Sequence, residues 1–86
     1  MNVILSNHPN RIRWACRRGM LELDLFLLPF FDAVFEALSL REQTQFIAFL
    51  EQPDVELFQW LMQKVSAPIE YQEIVHRIVH FKQRSV

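Results

Sequence analysis

Trp14-Ala15-Cys16-Arg17-Arg18-Gly19-Met20-Leu21-Glu22-Leu23-Asp24 holds the only glycine of the 86-residue sequence and joins a basic segment to an acidic, apolar one. A glycine at a helix exit adopts the left-handed conformation that other residues avoid, so this stretch predicts two helices meeting at a tight corner. Gly19 is expected at the position just past a first helix, with Arg17 and Arg18 in that helix's last turn and Glu22 and Asp24 in the first turn of a second. Cations at a helix C-terminus and carboxylates at an N-terminus each complement the helix dipole by about 0.3–1 kcal/mol. Capping alone accounts for these residue types. Two adjacent arginines beside a corner equally suit a binding surface, and spacing does not separate the two readings.

Upstream, His8-Pro9-Asn10 reads as a helix entry, with Asn7 or Ser6 as the cap and Pro9 in the first turn. The first helix is expected to run to about Arg18, with Ile12, Ala15 and Cys16 on one face; Trp14 reads as core or as an exposed anchor, and the core is the preferred reading. Downstream, a second helix from Met20 or Leu21 to about Leu38 places Glu22, Pro29, Asp32 and Glu36 on one stripe and Leu23, Leu27, Phe30, Phe31, Val34 and Leu38 on the other side. If Pro29 lies on the wet side the helix bends around the core; the alternative is two helices broken at Leu28-Pro29.

Ser39-Leu40-Arg41-Glu42 has the form of a capping box and starts a third helix with Phe46, Ile47, Phe49 and Leu50 on its buried face, ended by Pro53. Asp54 is expected to cap a fourth helix carrying Leu57, Phe58, Trp60, Leu61 and Met62. Pro68 then opens a fifth, to about Lys82, with Tyr71, Ile74, Val75, Ile78 and Phe81 at helical spacing and Glu73 paired with Arg77. No stretch alternates like a strand for long, and there is no internal repeat or glycine-rich linker. The fold class expected is all-α, a compact five-helix bundle in a single domain spanning residues 1–86.

A chain of 86 residues supports one modest core, and 51% hydrophobic residues with eight phenylalanines supply it. The single cysteine, Cys16, forms no internal disulfide and suits a reducing, cytoplasmic location. Residues 1–6 lack a basic segment and a long apolar run, so no secretory signal is expected, and the apolar run 25–31 stops at Asp32, far short of the roughly 20 residues that span a bilayer. Charge is uneven around a net of -1: residues 1–20 hold four arginines and no acid, residues 21–60 hold eight acids against Arg41, and basic residues again outnumber acids after 60. That pattern favours a protein partner of mixed charge over a nucleic-acid backbone.

No enzyme constellation stands out. His76 and His80 are two ligands where a structural zinc site uses four, and read as solvated residues, so no metal is expected. Cys16 falls on the apolar side of the first helix, where it acts as a small hydrophobe, although the neighbouring arginines would lower the pKa of an exposed thiol. Glu22 and Asp24 point in different directions on a helix, and one glycine cannot build a phosphate-cradling loop.

Arg18-Gly19-x-x-Glu22, preceded by Trp14-Ala15-Cys16-Arg17 and followed by Leu23-Asp24, resembles the signature of the small bacterial SdhE proteins, the FAD assembly factors of succinate dehydrogenase. Their mitochondrial counterparts are called succinate dehydrogenase assembly factor 2. The similarity continues through Pro29-Phe30-Phe31, Ser39 and Leu57-Phe58-x-Trp60-Leu61-Met62, and so covers most of the chain. Met20-Leu21 lie where the motif allows variation.

The resemblance implies a helical, non-catalytic assembly factor that holds no cofactor stably and promotes covalent FAD attachment to a partner. The partners it implies are the flavoprotein subunits of succinate dehydrogenase and of fumarate reductase. It marks Arg18, Gly19 and Glu22 as signature positions, with Arg17 and Asp24 extending the contact surface. In that reading Arg18 donates to carboxylates or carbonyls of the partner, Glu22 accepts from it, and loss of either side chain leaves the fold intact. A reading from another class is a cytoplasmic antitoxin or regulator that binds a small membrane-associated protein, a role also attached to relatives of SdhE. The partner that co-purifies separates the two.

Overall fold

The computed structural model describes residues 9–84, and among these α1 (Pro9–Ala15), α2 (Leu21–Val34), α3 (Leu40–Leu50), α4 (Asp54–Leu61) and α5 (Ile69–Arg84) follow one another, with a 3-10 turn over Phe35–Ala37. This is the all-α arrangement expected from the periodicity. The cap assigned to Asn7 or Ser6 lies outside the described residues.

α2 forms the main wall because its apolar residues recur every three or four positions: Leu23, Leu27 and Phe30 are buried, while Glu22, Pro29, Asp32 and Glu36 are exposed. It runs through Pro29 without a break. A proline lacks the N–H that would bond the carbonyl four residues earlier, and that carbonyl belongs to Leu25, on the exposed side where water can serve it. Beyond Val34 the helix does not reach Leu38 but tightens into the 3-10 turn, where the Gln43 side chain of α3 donates to the Phe35 carbonyl at 2.9 Å.

α5 packs against α2, α3 and α4. Between them lie two groups of rings. Phe30 meets Phe46 at 5.6 Å and the edge of Phe81 at 5.8 Å, while Phe31 stacks on Phe35 at 4.8 Å. Phe49, Trp60 and Tyr71 form the second group, with centroids 5.6–6.1 Å apart.

The Ser39 box is present in full: Glu42 N–H donates to Ser39 Oγ at 3.1 Å and Ser39 N–H to Glu42 Oε1 at 2.9 Å. The backbone bond from Ser39 is the main reason the Glu42 carboxyl lies below its ordinary pKa. Its second oxygen accepts from Arg77 at 2.8 Å, and Arg41 reaches Glu73 at 3.4 Å. The Glu73–Arg77 pair within α5 is therefore not formed. Because α3 and α5 lie side by side, each partner turns across the helix gap, and Glu42 is already held in place by the cap.

Cys16 is fully buried, and burial pushes its thiol up to about 12 despite the nearby arginines. Trp14, assigned to the core from sequence, is instead 73% exposed. It stands two residues from both Ile12 and Cys16, which face inward, so helical geometry turns it the other way. His76 and His80 are exposed with near-parallel rings 6.0 Å apart, and no group of three or more metal-ligating side chains occurs among the described residues. Nor is any described helix long and apolar enough to cross a membrane.

Candidate functional site

α1 ends at Ala15, three residues before the expected stop, because Cys16 and Arg17 N–H turn to the Arg13 and Trp14 carbonyls, each at 3.0 Å. Gly19 is therefore not the residue just past the helix but lies inside a connection over residues 16–20, with φ +82°. Its conformation is what that connection requires, not its size: a Cβ built on it meets nothing within 4 Å. Gly19→Val is expected to lower the free energy of unfolding in urea by about 1–2 kcal/mol, and Gly19→Asn by less, since asparagine tolerates the left-handed region.

The connection is fastened from both sides through Arg18. Its backbone N–H donates to Asp24 Oδ1 at 2.7 Å, tying the loop to the first turn of α2. Its side chain, 15% exposed, points inward. Nε donates to Asp54 Oδ1 at 2.8 Å, Nη1 to the carbonyls of Ala15 at 2.7 Å and Leu50 at 2.8 Å, and Nη2 to the carbonyl of Gln52 at 3.1 Å. Ala15 and Leu50 are the last residues of α1 and α3, where carbonyls lack helical partners, and Asp54 is the first residue of α4. One guanidinium thus joins three helix ends, with four of its five N–H groups engaged.

Asp54 does not cap α4 as the sequence led one to expect. Pro53 holds the cap position with extended backbone and no side-chain cap bond, and the Asp54 carboxylate faces Arg18. The link crosses 36 residues, so no local pattern announces it.

Outside this clamp, Arg17, Gly19 and Glu22 are exposed. The Arg17 guanidinium lies 6.0 Å from the centroid of the Trp14 ring, an exposed cation–π pair. Leu21, 68% exposed, begins α2 beside Glu22, and Glu22 has no hydrogen bond or ion pair to a described residue. The signature positions are therefore brought together but divided in orientation: Arg18 and Asp24 bond within the chain, while Arg17, Gly19 and Glu22 face out. Trp14 joins the outward group. The missed signal was its spacing from Ile12 and Cys16.

The family model described as the flavinator of succinate dehydrogenase, Sdh5, matches residues 10–82. The FAD assembly factor SdhE of Vibrio vulnificus (strain CMCP6) is 60% identical over 52 residues, which are 60% of this chain and 60% of that protein. That of Shewanella oneidensis is 56% identical over 52 residues, 60% of this chain and 63% of the relative. The Haemophilus ducreyi protein is 44% identical over 69 residues, 79% of this chain and 84% of its own length. Against the Vibrio and Shewanella relatives, the matched stretch covers less than two thirds of their length.

Proposed function

We propose, from the premise that this chain belongs to the Sdh5 family, the flavinators of succinate dehydrogenase, that it binds the flavoprotein subunit of that enzyme and promotes covalent attachment of FAD. The observation that carries the reading is the outward face of the corner: Arg17, Gly19 and Glu22, the last with no partner among the described residues, with Trp14 and Leu21 beside them on a clamped corner. Tryptophan and arginine, here Trp14 and Arg17 within one short stretch, are among the side chains that supply most of the energy of protein–protein contacts. Their opposite charges fit a protein surface of mixed sign.

Assistance of this kind asks for rigidity and no pocket. The factor holds the immature flavoprotein so that the partner's own reacting group and the flavin stay in near-attack geometry, an effect worth several kcal/mol of barrier. FAD is here the partner's group. The factor contributes Glu22 as an acceptor for a partner cation or N–H, and Arg17 as a donor to a partner carboxylate or carbonyl. The flavoprotein subunit of fumarate reductase is proposed as a second client of the same face.

The test is in-gel flavin fluorescence of the denatured flavoproteins from cells lacking this chain, with and without its return. Weak fluorescence restored by the wild-type chain supports the proposal. Equal fluorescence in every strain overturns it, and a small membrane protein that co-purifies with the chain would then support the regulator reading.

A further inference from the structure

The outward corner is held from behind by a residue that lies outside the contiguous signature. Asp54 Oδ1 accepts from Arg18 Nε at 2.8 Å, with the two side chains 37% and 15% exposed. Three observations give this contact a role beyond local helix structure. First, among the described residues the carboxylate bonds to Arg18 and to no backbone amide of α4, so capping does not account for its orientation. Second, Arg18 sits between Arg17 and Gly19, both exposed, so whatever fixes its side chain fixes the backbone that presents them. Third, that backbone includes the left-handed Gly19, φ +82°, in a connection that a single glycine leaves free to take other conformations.

We infer that Asp54 is a positioning residue for the corner, orienting Arg17 and Gly19 relative to Glu22 through the Arg18 guanidinium. The remaining three partners of Arg18 are backbone carbonyls of Ala15, Leu50 and Gln52. They accept hydrogen bonds but carry no charge, and Asp54 is the only carboxylate that the guanidinium contacts among the described residues. Without that charge the arginine keeps its carbonyl acceptors but loses its one bond to an opposite charge, made through Nε, which sets the direction of its fork. The connection over 16–20 then samples other arrangements while the core stays formed. This rests on the function proposed above, since the partner reads the corner.

The experiment compares Asp54→Asn and Asp54→Glu with the wild-type chain. Binding to the isolated, flavin-free flavoprotein subunit of succinate dehydrogenase is measured alongside hydrogen exchange of the Arg18 backbone amide, whose acceptor is Asp24. Asp54→Asn is expected to weaken binding about tenfold and speed exchange of the Arg18 amide, with exchange of core amides in α2 and α5 unchanged. Asp54→Glu, which keeps the charge, is expected to recover most of the affinity. Flavin attachment at a large excess of Asp54→Asn should reach the wild-type level, because only affinity is lost. Unchanged binding and unchanged Arg18 exchange in Asp54→Asn would overturn the inference. So would losses that are equal in both variants and track global unfolding, since those mark a structural role alone. A wild-type chain that does not bind the flavoprotein overturns the proposed function instead, while Arg18 exchange still decides whether Asp54 orders the corner.

Discussion

Arg18→Ala is expected to lower folding stability by about 2–3 kcal/mol, because it removes four hydrogen bonds and leaves their acceptors behind. The acceptors are the carbonyls of Ala15, Leu50 and Gln52 and the carboxylate of Asp54, and none of them gains a protein donor in the variant. Water reaches part of the space, since the Asp54 side chain is 37% exposed, which keeps the loss below that of a fully buried pair. For a chain of this size that loss corresponds to a fall in Tm of roughly 10–20 °C. Arg18→Lys should fall between, since an ammonium reaches one or two of the acceptors but cannot match the planar fork. The expectation drawn from the signature alone, that loss of Arg18 spares the fold, is thereby replaced. Thermal unfolding followed by circular dichroism decides it: a Tm within 2 °C of wild type would mean that water substitutes for the guanidinium at no cost.

Glu22→Lys is expected to separate function from fold. Glu22 lies in the first turn of α2 and bonds to nothing else described, so reversing its charge removes a favourable dipole term and adds an unfavourable one, about 1 kcal/mol in all. The chain should stay folded and reach normal abundance in cells. Flavin attachment should nevertheless fall to the level of cells lacking the chain, because in the proposed docking Glu22 accepts from the partner and a lysine presents donors in its place. The measurement is flavin fluorescence of the denatured flavoprotein at matched levels of each variant. Wild-type fluorescence with Glu22→Lys would take Glu22 out of the docking face and leave Trp14 and Arg17 to carry it.

The two variants share one motif and are expected to fail for different reasons, and only half of that difference is legible in the sequence. The Ser39–Glu42 box was readable because both partners sit within one turn, and most of the buried residues of α2 to α5 because helical spacing places them, Val79 being one it left out. Arg18 was not readable in the same way. Its acceptors come from α1, the end of α3 and the start of α4, and the direction of a long side chain at a helix corner depends on which carbonyls the tertiary fold brings near. The same limit explains Asp54, which looked like a cap, and the pairing of Arg77 with Glu42 instead of Glu73. Trp14 differs in kind: of the core and the exposed-anchor readings its residue type allows, the structure has the exposed one, since Ile12 takes the inward side of the two-turn helix and Cys16 is buried just past its end.

Cys16 also makes the chain its own probe. It is the only thiol in the sequence, it sits at the base of the corner with no exposed surface, and burial holds it protonated at any physiological pH. A thiol reagent can therefore react only while the corner is open, and the rate of labelling counts those openings directly. Labelling that keeps pace with global unfolding would show the corner to be as durable as the aromatic core beneath it. Labelling that runs ahead of unfolding and slows when the flavoprotein is added would report docking, without any tag or dye built into the chain.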